Sequence, residues 1–380
     1  LPNSCSIALD LLSGSRLSNA PCSSTIVAVK LPALDVTILS ISIPKSINIP
    51  LATFVGLIRE AIAEWYKKYY EVDNIDPAKE ILPLLGSKEG IMHICMTFLE
   101  DGDAALVPNP GYPTYTSAVK LSGGEILPYI LEEKNNWHPD LKSWKKMIDA
   151  HHAKQKGRVK LLFLNYPHMP TGQLPDPILL KEIIAFAKKE ELLIVHDNPY
   201  SFILNDTPSS FLSFDPEKEV VIELNSLSKS HNMAGWRVGM IVASGEHIEA
   251  ILRFKSNMDS GMFLPVQLAA AKALALGHEW HQEVNAIYKE RKELACQLLD
   301  LLNCSYAKDQ VGMFVWAKTP NNFSSGYTLS DQILIENAVF ITPGGIFGSQ
   351  GNEYIRISLC AKEEIFKEVI QRIKSKSNGI

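Results

Sequence analysis

The sequence predicts an α/β protein, with a three-layer α/β/α main domain built on a mainly parallel sheet and a smaller α+β domain. Three observations carry this expectation: short apolar runs that alternate with amphipathic segments, a late stretch poor in helix breakers, and a length able to bury two cores. Alternation matters because parallel neighbours in a sheet need a long crossover, which a helix supplies. With 380 residues, 46% hydrophobic and 21% charged, the chain exceeds the size at which a single core stops growing.

The regular pattern opens at Arg59 to Tyr70, where apolar and aromatic residues recur at helical spacing before the turn Glu71 to Pro77. Ala104 to Val107, Lys160 to Leu164, Leu192 to His196 and Val220 to Leu224 are short, mainly apolar runs of strand length and read as buried strands. Between them, Ile178 to Lys189 places Ile183, Ile184 and Phe186 on one side and lysines on the other, the signature of an amphipathic helix. Pro265 to Leu302, interrupted internally only by Gly277, is rich in Ala, Leu, Glu and Lys and predicts long helices leading out of the main domain. Candidate strands at Met313 to Ala317, Val339 to Ile341 and Tyr354 to Ser358, with a final helix near Glu363 to Ile373, make up the smaller domain.

A net charge of −5 provides no basic field for a polyanion, so nucleic acid is not an expected partner. The six cysteines lack metal-ligand spacing, and neither a metal nor structural disulfides are expected. No apolar run is long enough to span a bilayer, and a cytoplasmic location is expected. Residues 1–50 differ from the rest: ten serines and five charged residues give them a targeting-like composition, for which an organelle is the alternative location.

The chemistry concentrates in Ser226-Leu-Ser-Lys229-Ser-His-Asn-Met-Ala-Gly-Trp-Arg237-Val-Gly239. A lysine amine near a cation loses part of its proton affinity and can condense with a carbonyl. Ser226, Ser228 and the planar fork of Arg237 are suitable donors to a phosphate. Gly86-Ser87-Lys88-Glu89-Gly90 precedes the helical pattern Ile91 to Leu99, so its N–H groups would meet an anion at a helix N-terminus. Pro108-Asn-Pro-Gly-Tyr112-Pro113 is a rigid turn after a strand that would project the Tyr112 ring into the crevice at the strand ends. Asp197 closes its strand at the same edge, whereas His196 beside it would face the opposite side as a core or supporting histidine.

Together these segments resemble the class I/II pyridoxal-phosphate-dependent aminotransferases of fold type I, from about Arg59 to Ile373. Within them, the chain is similar to the group acting on LL-diaminopimelate and on neutral or aromatic amino acids. The resemblance implies pyridoxal 5′-phosphate held by Lys229 as a Schiff base, with its phosphate gripped by Gly86, Ser87, Lys88, Ser226, Ser228 and Arg237. It further implies Tyr112 stacked on the ring, Asp197 on the ring nitrogen, Tyr200 and Asn165 near the phenolate oxygen, and Arg356 on the substrate carboxylate. Lys229, Asp197 and Tyr200 would be the catalytic set. Thr342-Pro-Gly-Gly-Ile-Phe-Gly348 and Tyr354-Ile-Arg356-Ile-Ser358 match its C-terminal signature. One position departs: Met169, before Pro170-Thr171-Gly172, stands where most members have an asparagine donor, leaving that contact to Tyr200, Asn165 or water.

The implied activity is transfer of an amino group between an L-amino acid and a 2-oxo acid, by a homodimer with active sites near its interface. The alternative on the same fold is β- or γ-elimination, as in carbon–sulfur lyases; a ligand-binding module of a transcription regulator fits poorly, since residues 1–50 lack a basic helical pattern. The expected domains are 1–50, an atypical N-terminal segment; 51–275, the large cofactor-binding domain; and 276–380, the interdomain helix and small domain.

Overall fold

The computed structural model describes residues 51–154 and 157–377, preceded by two strands, β1 (Val29–Lys30) and β2 (Thr37–Ile38), which pair antiparallel. The chain divides into two compact units, Leu1–Leu51 and Ala52–Ile380. The targeting-like reading of residues 1–50 lies, apart from these strands, outside the described residues.

The larger unit carries a seven-stranded sheet of β3 (Ile81–Leu84), β4 (Ala104–Asn109), β5 (Glu125–Ile130), β6 (Val159–Asn165), β7 (Leu193–Asp197), β8 (Val221–Ser226) and β9 (Gly239–Val242). Their order is β3-β9-β8-β7-β6-β4-β5, and only β9 runs antiparallel to its neighbours. The four strands read from the sequence are all present. β3, β5 and β9 were not foreseen: each is short or proline- or glycine-bearing, and β9 begins at Gly239, inside the lysine motif.

Period-two alternation along these strands fills both faces. Leu161, Phe163, Val195, Ile222 and Ile241 pack under the helices α2 (Ser87–Phe98), α3 (Pro113–Leu121) and α7 (Gly245–Lys255). Leu162, Leu164, Ile194, Val221 and Met240 face the opposite core, which includes α1 (Leu51–Tyr70), α4 (Leu141–His152), α5 (Pro177–Glu190) and α8 (Leu264–Leu274). This is the expected three-layer architecture. α5 shows how sharply local sequence sets a boundary: Asp176 caps it by accepting the Ile178 N–H at 2.8 Å, Pro177 opens it, and Glu191 closes it in the left-handed region.

A one-turn helix, α6 (Leu227–Ser230), carries the lysine motif. The stretch 265–302 forms α8 and then α9 (His278–Leu301), broken at Ala275–Gly277. A three-stranded antiparallel sheet follows, ordered β10-β12-β11, from β10 (Phe314–Lys318), β11 (Thr342–Pro343) and β12 (Tyr354–Ser358), with α10 (Gly326–Asn337) and α11 (Glu363–Ser377). The strand expected at Val339 to Ile341 lies instead at Thr342–Pro343. Ala338 ends α10 in a left-handed conformation, and the Ser330 hydroxyl takes the Ile341 carbonyl, so pairing starts only at the next residue. Among the described residues no helix is long and apolar enough to cross a membrane, and Cys95, Cys296, Cys304 and Cys360 are free thiols.

Candidate active site

Four parallel or adjacent strands deliver their carboxyl ends to one place. β4 ends at Asn109 before the Tyr112 turn, β6 at Asn165, β7 at Asp197 and β8 at Ser226, and Asn165 and Asp197 are register partners. That edge opens into a cavity of about 290 Å³ lined by Ser87, Lys88, Tyr112, Asn165, Asp197, Tyr200, Ser226, Ser228, Lys229 and Arg237, with Tyr115, Met169, Pro199 and Ala234. Ten residues singled out from sequence therefore meet at one site. Gly86 adjoins it as the N-cap of α2, and Arg356 sits behind Met169.

One end of the cavity is built from glycine and arginine. Gly86 has φ 91°, and a Cβ there would come within 2.1 Å of Arg237 Nη2. Gly239 lets β9 approach the start of α2, since a Cβ would lie 2.4 Å from the Ser87 nitrogen. Arg237, itself left-handed at φ 55°, donates to the Ala234 carbonyl at 2.9 Å and the Leu85 carbonyl at 3.4 Å. Ser226 caps the lysine turn by accepting the Ser228 N–H at 3.2 Å while its hydroxyl donates to the Val238 carbonyl. Lys88 lies over the Tyr112 ring, 5.6 Å from its centroid.

Asp197 is the unusual group. It is 4% exposed, Tyr115 donates to its Oδ2 at 2.8 Å, and its Oδ1 is buried with no partner. Burial pushes its carboxyl up to about 6, against the Tyr115 hydrogen bond, which favours the ionised form. An acceptor left without a donor inside a cavity is where a protonated ring nitrogen fits. Burial likewise holds the Tyr200 phenol above its ordinary range, and Arg356's guanidinium pulls the other way.

Tyr115 was missed in the sequence. It is wholly buried, stacks on Phe163 at 5.0 Å and reads like a core aromatic; only its spacing, three residues after Tyr112 on α3, puts it near the site. Asn165 braces the site through backbone groups, donating to the Asp197 carbonyl at 2.6 Å and accepting the Met169 N–H at 2.7 Å. The Met169 side chain turns to Arg356, whose Nη1 lies 3.5 Å from its sulfur. Arg356 itself is held between Phe314 and Phe347, 4.0 and 4.5 Å from their ring centroids, with a buried, unpartnered Nε.

The chain matches the aminotransferase class I and II family over residues 31–373. It belongs to that family. This aminotransferase is 40% identical to the LL-diaminopimelate aminotransferase of Halothermothrix orenii over 319 residues, covering 83% of this chain and 80% of that protein. It is 38% identical to the enzyme of the same name from Moorella thermoacetica, over 87% of this chain and 83% of that one. Among solved structures it is similar to apo-BacF from Bacillus subtilis, with a TM-score of 0.78, 36% identity and coverage of 86% and 84% of the two chains. An aromatic aminotransferase from Pyrococcus horikoshii gives a TM-score of 0.77 at 29% identity, covering 85% of each chain. The protein is an enzyme that moves amino groups with pyridoxal phosphate, on the fold-type-I architecture. The orphaned Asp197 oxygen and the Gly86–Arg237 cradle fit that cofactor.

Proposed function

We propose that Lys229 is the residue that anchors the cofactor and carries the proton in this transamination, with LL-diaminopimelate as amino donor and a 2-oxo acid as acceptor. The supporting observation is that Lys229 lines the same cavity as Asp197, whose Oδ1 lacks a donor, while no hydrogen bond or ion pair engages the lysine amine among the described residues. The donor's identity rests on the relatives at 40% and 38% identity. Those relatives are named as aminotransferases, and no feature of the site favours elimination.

When bound, pyridoxal phosphate supplies an aldehyde carbon that takes up the amino group and a ring that accepts electron density from the substrate's α-carbon. Gly86, Ser87, Lys88, Ser226, Ser228 and Arg237 would hold its phosphate, and Tyr112 would cover its ring. Asp197 would keep the ring nitrogen protonated through the free Oδ1. Tyr200 would offer its hydroxyl to the phenolate oxygen, and Asn165 keeps the β6 and β7 ends together there. Arg356 takes the α-carboxylate by its paired N–H groups and so sets the α-C–H toward Lys229. Lys229, released when the substrate's amino group displaces it, would accept that proton at Nζ. The cofactor residues lie in 51–275 and Arg356 in 276–380, so the two proposed domains meet at the substrate. Exposed Met258 and Phe263 on the loop after α7 support a homodimer, and the free thiols suit a reducing cytoplasm.

Lys229→Ala tests the assignment. Glutamate formation from LL-diaminopimelate and 2-oxoglutarate should fall below detection, while the circular dichroism spectrum stays that of the parent. A variant that still transaminates at a near-parental rate removes Lys229 from the mechanism.

A further inference from the structure

Glu89 lies in the first turn of α2, two residues beyond Ser87. Its Oε1 accepts the Leu85 N–H at 2.9 Å and the Lys255 ammonium at 2.9 Å. Lys255, the last residue of α7 and 166 positions away, is 5% exposed and also donates to Asp259, which in turn accepts the Gly261 N–H at 2.8 Å. Burial opposes the Lys255 charge, yet its bonds to Asp259 and Glu89 raise its pKa overall. His93 faces the same group, its Nε2 3.8 Å from Glu89 Oε1, and burial lowers its pKa. Ligand atoms of Glu89, His93 and Asp259 all fall within 4.8 Å of one another, a spacing suited to a cation, and the Lys255 ammonium bonds both carboxylates.

A carboxylate in the first turn of a helix offsets the positive potential that the free N–H groups there offer an anion. Glu89 nevertheless has a structural task at this position, since it fixes the N–H of Leu85 at the entrance to the Gly86–Ser87 turn. We propose that Lys255 is a positioning residue for phosphate binding. Its ammonium offsets one of the two carboxylate charges of Glu89 and Asp259 that would otherwise act against the cofactor's dianion, and it holds Glu89 where it orders the Leu85–Ser87 turn. The inference rests on the reading of Gly86, Ser87, Ser228 and Arg237 as the phosphate site.

The test measures equilibrium dialysis of pyridoxal phosphate and of phosphate-free pyridoxal against cofactor-free protein. Lys255→Met leaves the Glu89 and Asp259 carboxylates without their ammonium, one more net negative charge in the cluster, and should weaken pyridoxal phosphate by about tenfold or more while changing pyridoxal by no more than about twofold. Adding Glu89→Gln, which keeps the acceptor for Leu85 but removes the charge, should return the phosphate ligand to within about threefold of the parent. Unchanged pyridoxal phosphate affinity in Lys255→Met, an equal loss for both ligands, or no recovery in the double variant overturns the proposal. Arg237→Ala separates the two readings: if it leaves pyridoxal phosphate binding intact, the phosphate site itself is misplaced, whereas a loss there with none in Lys255→Met sinks only the role of Lys255. Should Lys255→Met not fold, the double variant is compared directly with the parent, and a phosphate-specific loss of about tenfold then counts against the proposal.

Discussion

Asp197 and His196 are successive residues of β7, both nearly inaccessible, and they belong to opposite faces of the sheet. On the His196 face, wholly buried Glu223 accepts from His196 Nδ1 at 2.8 Å, Ser210 Oγ at 2.8 Å, the Phe211 N–H at 3.0 Å and, through its other oxygen, Asn198 at 3.5 Å. On the Asp197 face one oxygen has Tyr115 and the other has nothing. Both carboxyls are nearly inaccessible, so burial alone barely distinguishes them. The difference is satisfaction: the group closed by protein donors holds the strands and loop together, and the group left open is poised for a ligand.

Asp197→Asn should have the largest effect. A neutral amide cannot keep the ring nitrogen protonated, and transamination should fall on the order of a thousandfold. The same substitution should stabilise the cofactor-free protein at pH 8. Because the folded carboxyl is raised to about 6, the native state binds the proton more tightly than the unfolded chain. That stabilising contribution is complete below about pH 4 and lost as pH rises through 6, leaving a cost on the order of 2–3 kcal/mol at pH 8. Urea unfolding of parent and variant at pH 8 and pH 5 should show a gap that narrows on acidification. A gap independent of pH would place Asp197 among the satisfied groups.

Glu223→Ala should do the reverse, lowering stability by about 3–5 kcal/mol through the buried donors it strands while leaving turnover per folded molecule within about threefold. Lost turnover in a stable variant would break the contrast between the two faces. Arg356→Lys keeps the charge but not the fork, and kcat/KM should fall by the equivalent of about 1–3 kcal/mol, chiefly through KM. A comparable loss of cofactor affinity would move Arg356 into the cofactor site. Tyr115→Phe is the mildest change: about 1 kcal/mol in kcat with KM unaltered, and an Asp197 carboxyl titrating higher still, visible by carbon-13 NMR of the cofactor-free protein.

The buried strands were legible because apolar runs of the right length have few other uses, and Tyr354–Ser358 was read with its observed bounds. The residues lining the cavity were legible because backbone-bound motifs keep their spacing: glycine, serine and lysine in one turn, a carboxylate at a strand end. What depends on distant partners was not. Tyr115 finds Asp197 across 82 positions and Lys255 finds Glu89 across 166, and neither pairing leaves a local pattern. The strand misplaced at Val339 to Ile341 has the same origin, since the Ser330 hydroxyl that claims the Ile341 carbonyl is fixed by the packing of α10 and not by the apolar run.

Arg356 shows what such packing contributes before any ligand arrives. Flanked by Phe314 and Phe347 and touching the Met169 sulfur, its guanidinium is held by three side chains in the free protein. A flexible arginine would surrender several torsional degrees of freedom on meeting a carboxylate, a loss of about 0.5–1.5 kcal/mol for such a side chain. Here folding has already frozen them. If Arg356 takes the substrate carboxylate as proposed, acids should be discriminated by whether a carboxylate can reach the guanidinium between the two aromatic rings, which then act as the jaws of a gauge for the shape of the incoming acid.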